Sequence, residues 1–430
     1  MEENQIQAIR KIITHELRPA MGCTEPIAVA YAAALTRNLL GAVPDHMTVR
    51  CSGNIVKNVK GVTVPNSGGQ KGIDTAAIMG MLSGRSDMEL EVLSTIRPED
   101  LPQVNRLRES GMCECQLAEG VPNLYIEITM EAGEESAAVA IQDSHTNLVK
   151  KVKNGKILFE KNEMSDEDVE QLTRRYLNVD SILEYAQMES LAMLHTLFDE
   201  QVRDNWAIAV EGLDNPYGAG IGRSLLKNRD EKDWKTYCRA AAAAGSDARM
   251  NGCALPVVIN SGSGNQGITV SVPLIAYARQ VGCEEEKLYR ALAISNLLAL
   301  HQKKYIGKLS AFCGAISASA AAGAAMAWLQ GCEAEKVAKV LVNTLATAGG
   351  ILCDGAKASC AAKIAAGLEA AWTSLELAEQ DYQFPAGEGL VAQSPEDTIR
   401  SFGYVAREGM RQTDVEILKL MTGETKIECV

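Results

Sequence analysis

Apolar residues recur at helical spacing from the start of the chain. Ile6, Ile9, Ile12 and Ile13 lead to Leu17, and Pro19 ends the run. Cys23-Thr24-Glu25-Pro26 then reads as a helix start, with Thr24 as cap and Pro26 in the first turn of an alanine-rich helix reaching Leu40. From His46 the texture changes to short valine-rich runs, and 47–50 and 59–64 predict strands. A glycine-rich turn at 65–72 enters a helix over 73–82; 89–96 predicts another strand, and 98–109 a helix closed by Gly111. Segments 124–130, 136–141, 147–151 and 157–159 alternate with turns such as Asn154-Gly155, the pattern of an antiparallel sheet with helices on one side. After Glu163 the pattern is helical almost to the end, opening at the acidic, Ser-led Ser165-Asp166-Glu167-Asp168.

These elements predict an α+β fold, a large mostly helical domain beside a smaller α/β sandwich domain with a mainly antiparallel sheet. Residues 1–45 are expected to pack as helices on the helical domain, 46–164 to form the α+β domain, and 165–430 the helical catalytic domain. A chain of 430 residues exceeds the usual size of one core, in keeping with two. The uncharged run between Lys308 and Glu333 could span a bilayer by length, but it is mostly Ala, Gly and Ser and reads as a buried helix.

The net charge of -13, without any long Lys/Arg cluster, argues against a nucleic-acid partner. The acidic first residues lack the basic segment and apolar run of a secretory signal, so a cytoplasmic protein without a membrane partner is expected. In that compartment thiols stay reduced, and the twelve cysteines call for metal binding, catalysis or burial rather than disulfides.

Cys23 stands at a helix start, where unpaired amides and the dipole favour a thiolate; it is the best-placed base or nucleophile, against the plainer reading of a small residue in a tight turn. Cys113 and Cys115, near Cys51, share one face of a strand and read as buried. Gly282-Cys283-Glu284-Glu285-Glu286-Lys287 recurs as Gly331-Cys332-Glu333-Ala334-Glu335-Lys336, so Cys283 and Cys332 are equivalent places in a repeated helix turn and are discounted as ligands. Cys238 and Cys253 read as packing thiols. That leaves Cys313, Cys353 and Cys360. Zinc in a structural site takes four ligands, and only His301 lies near these thiols in sequence. Three thiolates from separate loops suit a 4Fe-4S cluster with one open iron able to act as a Lewis acid, though spacing alone also allows plain burial.

Two loops share their chemistry. Asn66-Ser67-Gly68-Gly69-Gln70-Lys71-Gly72 is echoed by Asn260-Ser261-Gly262-Ser263-Gly264-Asn265-Gln266-Gly267. One in each domain could hold a small polar substrate from both sides, with Asn66, Ser67, Gly68, Lys71, Asn260 and Ser261 as binding residues; common turn chemistry is the alternative. His145, at an expected hairpin turn, could reach the same substrate or simply face solvent.

Taken together, Met21-Gly22-Cys23-Thr24-Glu25-Pro26, Cys313 and the loop from Cys353-Asp354-Gly355 to Cys360 resemble the iron-sulfur-dependent L-serine dehydratase alpha-chain superfamily, and within it the L-cysteine desulfidase branch. The resemblance implies Cys23 as proton-accepting base and Cys313, Cys353 and Cys360 as ligands of a 4Fe-4S cluster. It implies conversion of L-cysteine and water to hydrogen sulfide, pyruvate and ammonia without pyridoxal phosphate. L-serine dehydration and a non-catalytic, redox-sensing role are the alternatives. Asp143-Ser144-His145-Thr146 matches the Ser-Ser-His-Thr motif of the dehydratases only loosely. The penultimate Cys429 is similar to a terminal cysteine that closes the open iron in some dehydratases, or is a frayed end. A small amino acid is the expected partner, and a homo-oligomer is compatible with the sequence.

Overall fold

A computed structural model describes residues 1–161, 166–227, 230, 232–307 and 309–425. The expected domain boundary at 164/165 and Cys429 lie outside the described residues. Helix α1 (Glu3–Glu16) buries Ile9, Ile12 and Ile13, the stripe its spacing marked. The short strand β1 (Pro19–Met21) leads into α2 (Thr24–Leu40), which is buried on almost every side. Strand β2 (His46–Cys51) and helices α3 (Gly53–Lys60), α4 (Ile73–Ser83) and α5 (Leu101–Glu109) follow. Then come β3 (Cys113–Leu117), β4 (Tyr125–Ala132), β5 (Glu135–Gln142), β6 (Leu148–Lys153) and β7 (Lys156–Glu160).

Strands β2 to β7 form one sheet in the order β3-β2-β4-β5-β6-β7, antiparallel except for the parallel β2–β3 pair. Burial alternates along β4, so the sheet has one covered face, and α2 lies on it across β4 and β5 and against α4. Helix α2 therefore belongs to the sheet layer and not to the helical part, where residues 1–45 were expected to pack. Its middle, Ile27 to Leu35, is apolar on every side, so that stretch carries no preference for a neighbour.

Two expected strands are absent. Residues 59–64 are the end of α3 and a loop, and 89–96 is a short 3-10 turn (Ser86–Glu91) followed by irregular backbone. Val62, Val64, Leu90, Val92, Leu93 and Ile96 are nonetheless buried. Short apolar runs record burial, and here burial comes from loops packed under helices, without strand pairing.

The remainder is helical: α6 (Asp166–Tyr176), α7 (Val179–Met188), α8 (Leu191–Asp214), α9 (Ile221–Leu226) and α10 (Trp234–Met250), then strand β8 (Pro256–Val258). Beyond it run α11 (Gly264–Val281), α12 (Glu285–Ile306), α13 (Gly314–Leu329), α14 (Ala334–Ala348), α15 (Cys360–Glu379), α16 (Pro395–Tyr404) and α17 (Arg411–Thr422). The alanine-rich α13 sits in the middle, against α11, α12, α14 and α15. A Cβ at Gly323 would come within 2.8 Å of the Ala371 Cβ on α15, so small residues are what let these helices meet. No described helix is long and apolar enough to cross a membrane. The chain is an α+β protein with a large helical part and a smaller sheet part.

A two-stranded ribbon couples the N-terminal segment to the helical part. β1 pairs antiparallel with β8, Pro19 opposite Val258 and Met21 opposite Pro256. Buried Asn205 of α8 grips β8 by both ends of its amide: Nδ2 donates to the Val258 carbonyl at 3.1 Å, and Oδ1 accepts from the Val258 N–H at 2.7 Å. Each strand lies close to a helix start, β1 before α2 and β8 before α11. The Thr24 hydroxyl ties these starts together by donating to the Gly262 carbonyl at 3.0 Å.

Candidate active site

Four helices begin around one cavity of about 370 Å³. Cys23 is the N-cap of α2, Ser263 of α11 and Cys313 of α13, and Cys360 is the first residue of α15. Part of the cavity is thus lined by helix N-termini, whose unpaired amides favour negative charge. Cys353 joins them through a backbone clasp between two loops: Cys313 N–H donates to Ile351 O at 3.0 Å, and Cys353 N–H to Ala311 O at 2.6 Å. The Cys353–Cys360 loop turns at Gly355, where φ is +96° and a Cβ would overlap the Lys57 carbonyl. Asp354 fastens the loop between Lys357 and Lys363; burial alone would raise its carboxyl, but the two ammonium groups hold it at about 2.

Cys313, Cys353 and Cys360 face the same cavity and feel one another's charge. Burial, then Cys353, pushes the Cys313 thiol up to about 12, and burial also raises Cys360. Such thiols keep their protons until a cation replaces them. Among the described residues no group of three or more His, Cys, Asp or Glu side chains closes on a single metal ion. Three thiols on one cavity are sulfur donors of the kind that soft metal centres take.

The opposite wall is an acid–base group. Glu25 Oε2 accepts from Cys23 Sγ at 3.0 Å and from the Thr24 hydroxyl at 3.1 Å, while Oε1 accepts from Asn58 Nδ2 at 3.1 Å. His145 Nε2 is an ion-pair distance of 3.9 Å from Oε1, with no direct hydrogen bond. Burial pushes the Glu25 carboxyl up, but His145 and then Cys23 more than offset it, and Glu25 stays ionised with a pKa of about 2. Cys23 goes the other way. Burial first, then Glu25, raises its thiol well above the ordinary value, and Arg249 opposes this. The helix-start argument for a resting thiolate is thus overridden, because the desolvation of a fully buried sulfur outweighs the dipole of one helix.

Of the residues expected to act, the structure brings Cys23, His145, Ser261, Cys313, Cys353 and Cys360 to this cavity. His145 is buried, its ring packed over Gly262, and is not a surface turn residue. The first Asn-Ser-Gly loop lies elsewhere. Asn66 Nδ2 donates to Leu93 O at 3.0 Å, Ser67 Oγ to Gln70 O at 3.0 Å, and Gly68 and Lys71 are exposed off the cavity. Asn260 is buried behind it, its Nδ2 donating to Asn296 Oδ1 at 3.0 Å. The two matched loops share helix-entry chemistry, at α4 and α11, and only the second faces the cavity. Cys115, expected to be buried, is exposed because β3 is the edge of the sheet.

Three lining residues carried no sequence argument: Glu25, Arg249 and Lys303. Glu25 read as part of a capping signal, and its place two residues after Cys23 was the one available clue. Arg249 closes α10 and reads as an ordinary C-terminal cation. Burial pulls the Lys303 ammonium down to about 8.

A largely helical α+β protein whose cavity joins three thiols to a Cys–Glu hydrogen-bonded pair has the frame of an enzyme. The family model for the serine dehydratase alpha chain matches residues 88–419, and the chain belongs to that family, which is of lyase type. It is 45% identical to a UPF0597 protein of Lachnoclostridium phytofermentans over 410 residues, covering 95% of this chain and 98% of that one. It is 45% identical to a UPF0597 protein of Finegoldia magna over 412 residues, 96% and 98% of the two chains. A third relative, UPF0597 protein DSY1109 of Desulfitobacterium hafniense, is 44% identical over 424 residues, 98% of each.

Proposed function

We propose that this cavity carries out β-elimination on L-cysteine, giving hydrogen sulfide, pyruvate and ammonia. The observation that carries the reading is that Cys313, Cys353 and Cys360 share one cavity with Cys23 hydrogen-bonded to Glu25. In this reading the three thiols hold a 4Fe-4S cluster, which when bound supplies a Lewis-acid iron for the leaving group. The chain's own residues handle the proton. Cys23 is oriented by its 3.0 Å hydrogen bond to Glu25, with His145 behind the carboxylate, and Arg249 together with the α2 N-terminus favours its thiolate when substrate is bound. The thiolate takes the substrate α-proton, the Cα–Cβ double bond forms, and the C–S bond breaks with its electron pair leaving on sulfur. The departing hydrosulfide takes the α-proton from Cys23 to give hydrogen sulfide, which returns Cys23 to its thiolate, and the released aminoacrylate hydrolyses to pyruvate and ammonia.

Anaerobic reconstitution tests this. The expected result is a brown protein with about four irons per chain that releases sulfide and pyruvate from L-cysteine, with Cys23→Ala losing turnover but not cluster absorbance. A colourless protein after reconstitution would sink the proposal. The family description makes L-serine the second reading, and pyruvate from serine without any turnover of cysteine would select it.

A further inference from the structure

Arg249 is 2% exposed, lines the cavity, and has no hydrogen bond or ion pair to its guanidinium among the described residues; its Nε is buried without a partner. A guanidinium cannot shed its charge, so a buried one without an anion is costly and calls for an anionic ligand. Its charge reaches Cys23 and Glu25, yet Glu25 is already taken up by Cys23, Thr24 and Asn58 and forms no ion pair with it.

The guanidinium lies against a second anion-favouring feature. A Cβ on Gly264, the first residue of α11, would overlap Arg249 Nε and Cζ, so only the absence of a side chain there lets the two meet. α11 is 18 residues long, and Ser263 Oγ accepts from the Gln266 N–H at 3.4 Å, leaving the amides of Gly264 and Asn265 without intrahelical partners. Asn265 and Gln266 also line the cavity; Asn265 Oδ1 accepts from the Ser246 hydroxyl at 3.2 Å, and Gln266 Oε1 is buried and unpartnered.

We propose that Arg249 and the first turn of α11 form a carboxylate subsite that holds the α-carboxylate of the amino-acid substrate. The proposal rests on the amino-acid elimination reading for the identity of its ligand. A planar guanidinium gives a carboxylate two parallel hydrogen bonds, and a helix N-terminus adds amides and dipole. This subsite selects for free α-carboxylates, and amides or decarboxylated amines of the same size lack its ligand.

L-alanine, which has no leaving group, and L-alaninamide are the probes, measured by titration calorimetry on the cluster-loaded protein. The wild type is expected to prefer L-alanine, and Arg249→Gln to lose that preference, binding L-alanine at least about thirtyfold more weakly, as truncation of a buried charged pair does. Arg249→Lys, which keeps the charge but not the fork, is expected to fall between them. A wild type that binds both probes equally, or neither, overturns the subsite, as does a folded Arg249→Gln protein that keeps the preference. Where Arg249→Gln does not fold, the wild-type comparison and Arg249→Lys decide. Failure of the elimination reading looks different: Arg249-dependent binding of L-alanine by a protein that turns over neither cysteine nor serine. Unchanged KM in Arg249→Gln with sulfide release intact would instead remove the subsite alone.

Discussion

Glu25→Gln tests the centre of the site with a nearly isosteric change. Glu25 is buried, accepts from Cys23, Thr24 and Asn58, and is held by its surroundings at a pKa of about 2 against the ordinary 4.5. That difference corresponds to about 3 kcal/mol of folded-state stability at neutral pH. Because the folded value lies below the unfolded one, the contribution is complete above 4.5 and is lost as pH falls toward 2. About 2 kcal/mol of it is gone between pH 6 and pH 3. A glutamine does not titrate, so urea unfolding of the variant should lose about 2 kcal/mol less than wild type over that interval. At pH 6 the variant should be less stable by about 1–3 kcal/mol, since one of the three donors is left facing an amide N–H. In the cluster-loaded protein, removing the carboxylate that orients the Cys23 sulfur should cut sulfide release by at least about a hundredfold with iron content unchanged. Identical acid losses for wild type and variant would refute the claim that His145 and Cys23 keep Glu25 ionised.

Cys360→Ser should lower iron content and visible absorbance after anaerobic reconstitution while leaving the helix content of the unloaded chain intact; full iron loading would remove Cys360 as a ligand. Asn66→Ala should leave KM for cysteine unchanged and cost about 1 kcal/mol in stability through the lost bond to Leu93; a large rise in KM would return that loop to the site. Brief alkylation of the native unloaded protein should label exposed Cys115 well ahead of buried Cys23 when peptides are quantified by mass spectrometry, because the Cys23 thiol keeps its proton and is shielded from solvent. Preferential labelling of Cys23 would contradict the raised thiol described above.

What the sequence by itself determined is mostly local. The helix start at Cys23 follows from a cap and a proline within a few residues, and the alternation at 124–141 follows from a sheet with one covered face. The repeated Gly-Cys-Glu turn, equally local, correctly set Cys283 and Cys332 apart from the cavity. Tertiary structure decided what these elements face. The middle of α2, Ile27 to Leu35, is apolar on all sides, so only packing could place it on the sheet. The two Asn-Ser-Gly loops are alike in sequence because both enter helices, but the β1–β8 ribbon and the Thr24–Gly262 bond carry only the second to Cys23. Arg249 is an ordinary helix-end cation until α10, α11 and β8 close around it and leave it without an anion. Cys23 itself changed character for the same reason: the helix dipole acts over one turn and can be read from sequence, whereas desolvation is set by every neighbour the fold brings within reach.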